Sequence, residues 1–360
     1  MYLSELTVHG FRNLSQQKLV LPEGPSLFYG ENGSGKTSLL EAVHLLATGR
    51  SFRSHLIKPL IQHGEDACLV RGQLASTDAS RAAAVMRSRS GELDLRLGGV
   101  QTPVLADLAA ALPLVVIDTD ALSLIEGAPD QRRRFLDATL FHVEQVFFET
   151  WRRYQKALRQ RNAGLRGGIL DADATWLHEL AVLGEKLSEM RQAIASRLTS
   201  RFQQNLAELA PKLVDCSVEY RQGWDAGLTL LDALHKGAPG DLAQGFTHAG
   251  PHRADFRLKW QGRLAAEVMS RGQLKVAVVA MKLAQAAIMA EARGEQPVFL
   301  LDDLTAELDH ERSLAVFRRL ADVRAQVLLT AVALPSLDAL WPGSKPALFH
   351  VEQGIISSDC

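Results

Sequence analysis

The chain has 360 residues, 47% of them hydrophobic, which is enough to bury a large core and suggests about two domains. Its 40 basic and 41 acidic residues leave a formal net charge of −1, so any contact with nucleic acid must come from local clusters of cations. Cys68, Cys216 and Cys360 form no C-x-x-C pair, which argues against a disulfide framework or a zinc site. No stretch reaches the ~18 apolar residues of a membrane span, and the N-terminus carries charges where a signal peptide is apolar. We therefore expect a cytoplasmic protein with no membrane partner.

The first third of the chain predicts short strands around a phosphate-binding loop. Apolar runs predict strands at 3–8, 27–29, 67–74, 93–97 and 114–117. Between them, residues 30–37 match G-x-x-x-x-G-K-[ST], and helical spacing of apolar residues follows at once. A loop of this kind holds phosphates on backbone N–H groups at a helix N-terminus, and the alternative is a plain glycine-rich turn. The predicted ATP-binding residues are Gly30, Glu31, Asn32, Gly33, Ser34, Gly35, Lys36, Thr37 and Ser38.

Helical periodicity dominates the middle of the chain, from 131 to 213. Apolar residues recur every three or four positions and predict a packing stripe: Leu183, Leu187, Met190, Ile194, Leu198, Phe202 and Leu206. The segment 151–166 contains no acid and places several cations close together, which suits contacts with DNA phosphates. The predicted DNA-binding residues are Arg152, Arg153, Lys156, Arg159 and Arg161. The alternative is a solvated helix face, or arginines that pair with acids elsewhere.

Strands alternate with helices in the last part of the chain. We predict strands at 218–220, 256–260, 298–303 and 327–330, with helices at 270–290 and 311–323. This order predicts an α/β head with a parallel sheet completed from both ends of the chain, interrupted by a helical insertion. The predicted division is 1–118 and 245–360 for the head and 119–244 for a mainly helical arm.

Two further segments carry chemistry that the phosphate loop needs. The apolar run 298–301 ends in two acids, of which Asp302 is predicted to hold Mg²⁺ together with Thr37, and Asp303 to act as the general base toward water. Lys36 and Asp303 are thus the candidate catalytic residues. Ser270, Gly272 and Gln273 open an apolar helix, so they predict either a second anion site or ordinary helix capping.

The order of these motifs resembles ATP-binding-cassette (ABC) heads, and over nearly the whole chain it resembles the RecF family of SMC-like ATPases. The matching segments are 10–14, 30–37, 49–54, 133–137, 160–162, 247–255, 270–275, 302–303 and 307–309. The resemblance implies a P-loop ABC/SMC-like ATPase head with a mixed sheet and an inserted α-helical arm domain. It implies that Ser270 and Gly272 of one copy contact the γ-phosphate bound by a second copy, so that ATP drives homodimer formation. By the same analogy, Arg12, Arg50 and Arg53 reach phosphate or adenine.

The resemblance also implies a role in DNA repair, replication and the SOS response. Proteins of this family bind DNA at single-strand gaps or duplex junctions, hydrolyse ATP slowly with DNA as stimulus, work with RecO and RecR, and help to load RecA. This chain departs from the wider ABC pattern at two places: Thr330-Ala331-Val332 stands where transporters carry a switch histidine, and Asp118-Thr119-Asp120 where SMC heads carry a glutamine.

Three other functions remain open on the sequence. A transporter ATPase subunit would share the motifs, but the missing histidine and the arginine-rich insertion count against it. A long-armed SMC protein needs sustained heptads, for which the insertion has no room. A scaffold that binds ATP without hydrolysing it would need only the phosphate loop and the pairing surface.

Overall fold

The computed structural model describes residues 1–54, 56–76, 79–102, 104–168, 174–304, 308, 310–334, 341 and 345–359. Their strands are β1 Tyr2–His9, β2 Gln17–Val20, β3 Pro25–Tyr29, β4 Ala67–Ala75, β5 Ser80–Ser88, β6 Leu93–Leu97, β7 Val100–Gln101, β8 Leu114–Ile117, β9 Cys216–Arg221, β10 Asp255–Trp260, β11 Arg263–Leu264, β12 Val298–Leu301, β13 Val327–Ala331, β14 Ala347–Glu352 and β15 Ile355–Asp359. Their α-helices are α1 Lys36–Thr48, α2 Leu105–Ala111, α3 Ser123–Glu126, α4 Pro129–Val143, α5 Phe147–Arg166, α6 Ala174–Leu209, α7 Leu230–Gln244, α8 Ala265–Val268, α9 Arg271–Arg293 and α10 His310–Asp322.

The described residues divide into two compact units. The first comprises Met1–Ala121 and Met289–Cys360, and the second Leu122–Ile288. The second unit begins close to the predicted start of the arm at 119, but it extends to 288. It therefore includes β10 and most of α9, which the sequence assigns to the head, as well as β9, which lies within the predicted arm. These elements differ in type from the helical arm, but they pack against its helices: β9 against α6, and β10 against α4.

The first unit contains two six-stranded sheets. One is antiparallel, in the order β2-β1-β4-β5-β6-β7. The other has the order β15-β14-β3-β13-β12-β8, and its strands are parallel except for β15. The predicted parallel sheet is therefore confirmed. It is completed by strands from both ends of the chain, and the antiparallel edge strand makes it mixed.

Helix α1 packs against β4 and β5 of the antiparallel sheet and against β13 of the parallel one. Its apolar side chains, including Leu39, Leu40 and Val43, are essentially inaccessible to solvent. Each buried side chain of this size contributes about 1.5–3 kcal/mol. The core of the first unit thus fixes the helix that follows the phosphate loop.

The second unit is built around α6, which contacts α4, α5 and α7. The predicted packing stripe on α6 is buried, apart from Met190, which is half-buried. A three-stranded sheet, β11-β10-β9, completes this unit. Within the described residues, α9 alone is long and apolar enough to cross a membrane, and 72% of its apolar stretch is buried inside the protein, as in a core helix.

Candidate functional site

The phosphate loop connects the end of β3 to the start of α1, as predicted. Gly30 has φ 154°, and a Cβ atom at this position would lie 2.1 Å from the carbonyl oxygen of Val351. Only glycine lets the loop leave the sheet so close to the neighbouring strand. Glu31, Asn32 and Gly33 form its exposed tip.

Lys36 and Ser34 lie inside the loop. The Lys36 ammonium is buried and donates hydrogen bonds to the carbonyl oxygens of Gly30 (2.8 Å) and Glu31 (2.9 Å). The Ser34 hydroxyl is buried without a hydrogen-bond partner among the described residues. Helix α1 has Gly35 at its N-cap and no side chain that caps its first N–H groups. An uncapped helix start, a buried cation and an unsatisfied hydroxyl fit a phosphate group.

Asn13 and Ser38 support the loop from the side. The Asn13 amide donates to the carbonyl oxygen of Gly33 (3.0 Å), and the Ser38 hydroxyl donates to the Asn13 side-chain oxygen (2.8 Å). Gly354 adds a third support, because its N–H donates to the carbonyl oxygen of Ser34 (2.7 Å). The sequence placed Ser38 in the loop but did not indicate Asn13 or Gly354, because their contacts are far apart in the chain.

The acid-tipped strand reaches the same place. The Thr37 hydroxyl donates to the Asp302 carboxylate (3.0 Å), and so does the Thr330 hydroxyl (2.8 Å). Burial raises the pKa of Asp302 above its ordinary value, while these two hydrogen bonds oppose the shift. The structure therefore brings together Thr37 and Asp302, the two residues predicted to hold Mg²⁺.

These donors suit Mg²⁺, which prefers oxygen ligands and is held by one or two protein groups together with phosphate and water oxygens. The described residues contain no group of three or more His, Cys, Asp or Glu side chains that could hold a metal ion by themselves. A bound cation would offset the cost of burying the Asp302 charge.

Asp303 adopts a left-handed backbone conformation with φ 50°, which is uncommon for a residue with a side chain. Its N–H donates to the Thr330 hydroxyl (2.9 Å), which fixes this conformation. One carboxylate oxygen, Oδ1, is buried without a hydrogen-bond partner in the described part of the chain. An unsatisfied oxygen on a strained residue is typical of a functional position.

Thr330 is the residue that the sequence missed. It is the penultimate residue of the neighbouring strand β13. Its hydroxyl donates to the Asp302 carboxylate and accepts the backbone N–H of Asp303. We noted this position only because it lacks the transporter histidine. Of the predicted segment 307–309, Glu307 and Asp309 lie outside the described residues.

Two of the three arginines considered for phosphate contact occupy defined places. Arg12 donates two hydrogen bonds to the fully buried Glu41 of α1 (2.8 and 2.6 Å), so it is an internal ion-pair partner in this structure. Arg53 is exposed, and its charge opposes the rise that burial causes in the pKa of Asp302. Ser51 fixes the loop that carries Arg53, because its hydroxyl bonds Glu41 and accepts the N–H of Arg53 (2.9 Å).

Ser270 and Gln273 form a reciprocal capping box at the start of α9. The Gln273 N–H donates to the Ser270 hydroxyl (3.3 Å), and the Ser270 N–H donates to the Gln273 side-chain oxygen (2.8 Å). Ser270 is exposed, and Gly272 is half-buried. The capping interpretation of these residues is thus realised, and the helix tip faces solvent.

The predicted DNA-binding residues fall into two groups. Arg152, Lys156 and Arg159 are exposed, as is Arg153, which pairs with Glu179 (3.0 Å). Arg161 must be removed from the set, because its side chain is 1% exposed and pairs with the equally buried Asp241 (2.8 Å). A buried, paired guanidinium cannot contact a phosphate in solution.

The fold and the loop geometry define a class, the ATPase heads of ABC and SMC proteins. The family described as RecF/RecN/SMC N-terminal domain matches residues 2–354. The DNA replication and repair protein RecF of Stutzerimonas stutzeri is 44% identical over 99% of this chain and 97% of its own length. The chain belongs to the RecF family.

Solved structures of similar proteins support this assignment. A structure of the recombination mediator protein RecF with ATP in the RecFOR pathway has a TM-score of 0.89 and 28% identity, and covers 100% of this chain and 98% of that one. An Smc head bound to the C-terminal winged-helix domain of ScpA has a TM-score of 0.58 and 16% identity over 100% of this chain and 97% of that one, which supports the fold alone. The predicted fold class is confirmed, as is membership of the family of DNA replication and repair ATPases.

Proposed function

We propose that this protein is an ATP-dependent, DNA-binding recombination mediator. The observation that carries the proposal is the meeting of Thr37, Asp302 and Asp303 beside the phosphate loop, in a chain of the RecF family. The protein would bind DNA at single-strand gaps or duplex junctions and help to load RecA in repair and replication restart. RecO and RecR are its proposed partners in the cytoplasm, with a link to the SOS response.

In the proposed ATP site, Lys36 contacts the β- and γ-phosphates and the loop N–H groups surround them. Thr37 and Asp302 would hold Mg²⁺, which neutralises phosphate charge when bound. Asp303 is the proposed base, since its unsatisfied oxygen can accept a proton from a water molecule within hydrogen-bond reach.

Dimer formation is proposed to couple ATP to DNA. The exposed tip of α9, with Ser270 and Gly272, would contact the γ-phosphate held by a second copy. In the capping box the Ser270 hydroxyl accepts the Gln273 N–H, so its own O–H could donate to that phosphate. Slow hydrolysis, stimulated by DNA, would then release the dimer.

The test is the mass of the protein in solution, by sedimentation, with and without ATP and Mg²⁺. Lys36→Ala should abolish both ATP binding and the ATP-dependent dimer. Ser270→Arg should keep ATP binding and lose the dimer, with Arg271→Ser as the control at the adjacent exposed position. Equal dimer fractions for Ser270→Arg and the parent would contradict the shared site.

A further inference from the structure

Three planar side chains lie together on the surface of the second unit, in the segment that follows α7. The Phe246 ring is 37% exposed and lies 4.3 Å, centroid to centroid, from the exposed His248 ring. The exposed Arg253 guanidinium stands 5.4 Å from the centroid of Phe246. We call Phe246, His248 and Arg253 the aromatic platform. Phe256 of the same unit, by contrast, is buried.

The platform lies at the end of the basic face of α5. At helical spacing, Arg152, Lys156, Arg159 and Arg166 share one face, and all four are exposed. Gly245, which caps the end of α7 with φ 74°, lies directly against Arg166: a Cβ atom there would be 3.0 Å from the Arg166 Cγ atom. The positive φ favours glycine at this position, and the close approach brings the residue that precedes Phe246 against the last cation of the row.

Buried and partly buried hydrogen bonds join the platform segment to α5. Arg161 pairs with Asp241 and also donates to the Thr247 hydroxyl (2.6 Å). The Asn162 side-chain oxygen accepts from both the N–H (2.9 Å) and the hydroxyl (2.7 Å) of Thr247. His248 bonds the Asp241 carboxylate through its N–H (3.0 Å) and its Nδ1 (2.6 Å).

These bonds hold Phe246 and His248 at a set position relative to the basic face. Such a platform is organised before any ligand arrives, so less ordering entropy is lost on binding. The same network explains why Arg161 is buried, and Asn162 half-buried, next to exposed cations on one helix. Both side chains position the platform segment through their hydrogen bonds to Thr247.

We infer that the platform stacks an unpaired nucleobase of DNA whose phosphates lie along the basic face of α5. Aromatic rings and guanidinium planes stack bases without regard to sequence, while a row of cations contacts the backbone. A base inside a duplex is already stacked on its neighbours, so the platform favours DNA with an unpaired base beside the duplex. This inference rests on the proposed DNA-binding function and assigns a chemical basis for preferring gapped DNA.

The experiment compares Phe246→Leu, Phe246→Trp and the parent by DNA affinity, using the full chain with ATP and Mg²⁺. The substrates are a blunt duplex, a gapped duplex, and the same gapped duplex with abasic sites at the unpaired positions nearest the junction. Phe246→Leu should weaken binding to gapped DNA about tenfold, the scale of one base–aromatic stack. It should leave the blunt and abasic substrates unchanged. Phe246→Trp, which keeps an aromatic face, should match the parent or bind more tightly.

Trp176→Leu is the matched control, because Trp176 is another aromatic residue of the second unit and is 40% exposed. It should bind all three substrates as the parent does. Thermal unfolding of each variant reports any loss of folding. The platform is refuted if Phe246→Leu weakens binding to the abasic and the intact gapped DNA equally, or weakens binding to neither.

Charge reversal of Arg152, Lys156 and Arg159 separates the platform from the underlying DNA function. The triple variant should bind every substrate more weakly, and its DNA affinity should depend less on salt concentration. If it does so while Phe246→Leu has no effect, the basic face stands and the platform is wrong. If instead the triple variant binds every substrate as the parent does, the proposal that this face binds DNA is wrong, and the platform is refuted with it.

Discussion

Removing the Arg161 guanidinium should destabilise the protein strongly, although the sequence places this residue among cations expected to bind DNA. Arg161 and Asp241 are each 1% exposed, and their atoms Nη1 and Oδ2 lie 2.8 Å apart. In Arg161→Met, a side chain of similar length would leave the Asp241 carboxylate buried beside His248 without its cation. Breaking a buried pair from one side costs about 3–5 kcal/mol, which is a large share of the ~5–15 kcal/mol that stabilises a typical protein.

Urea unfolding of the full chain, followed by circular dichroism, measures this loss. Arg159→Met is the control, because Arg159 is exposed on the same helix, and it should change the free energy of unfolding by no more than about 0.5 kcal/mol. In the double variant Arg161→Met, Asp241→Asn, the amide still accepts from His248 and carries no charge. About half of the lost stability or more should return.

DNA binding, unlike stability, should show no loss of a phosphate contact in this variant. Folded Arg161→Met should keep the parent's slope of log affinity against log salt, whereas loss of a phosphate contact reduces that slope by about 1. The buried ion pair does not stabilise the protein as proposed if Arg161→Met and Arg159→Met have the same free energy of unfolding. The same holds if the double variant is no more stable than Arg161→Met. A reduced salt slope in a fully folded variant would also restore Arg161 to the DNA-binding set.

Three further predictions concern the site and the segment near the platform. Gly30→Ala should destabilise the protein by a few kcal/mol more than Gly33→Ala, since a Cβ at Gly30 meets a carbonyl at 2.1 Å and one at Gly33 meets nothing within 4 Å; equal melting temperatures would contradict this. Thr330→Val removes two hydrogen bonds to the acid pair, at about 1 kcal/mol for each bond, and should lower the ATP hydrolysis rate roughly thirtyfold with ATP affinity retained; an unchanged rate in a hydrolysis assay would exclude this role for the hydroxyl. Burial lowers the pKa of His252 to about 4, so the neutral ring stabilises the fold above pH 6.5 and this contribution is lost as the pH falls toward 4. Across that range His252→Gln should show a weaker decline in melting temperature than the parent.

The candidate ATP site could be predicted from the sequence because each of its parts has a local pattern. A glycine-rich loop between a strand and a helix, and an apolar strand that ends in two acids, each carry their own pattern within about ten residues. The parallel order of strands then brings the carboxyl ends of β3 and β12 to one edge of the sheet. Thr37 and Asp302 meet for that reason, although they are far apart in the chain.

The parts that escaped prediction depend on contacts between distant segments. Arg161 looks like its exposed neighbours until Asp241 is placed beside it. Strand β5 was missed because its alanine-rich middle has low strand propensity, and its pairing with β4 decides the structure. The hairpin of β14 and β15 was missed as well, because its pairing with β3 has no local signal.

That hairpin has a consequence for biosynthesis. The carbonyl of Val351 lies directly against Gly30, and the N–H of Gly354 donates to the carbonyl oxygen of Ser34 in the phosphate loop. A nascent chain on the ribosome therefore carries its phosphate loop, from residue 30 onward, for most of translation without the support that shapes it. We expect truncated products that end before Val351 to be unable to engage ATP.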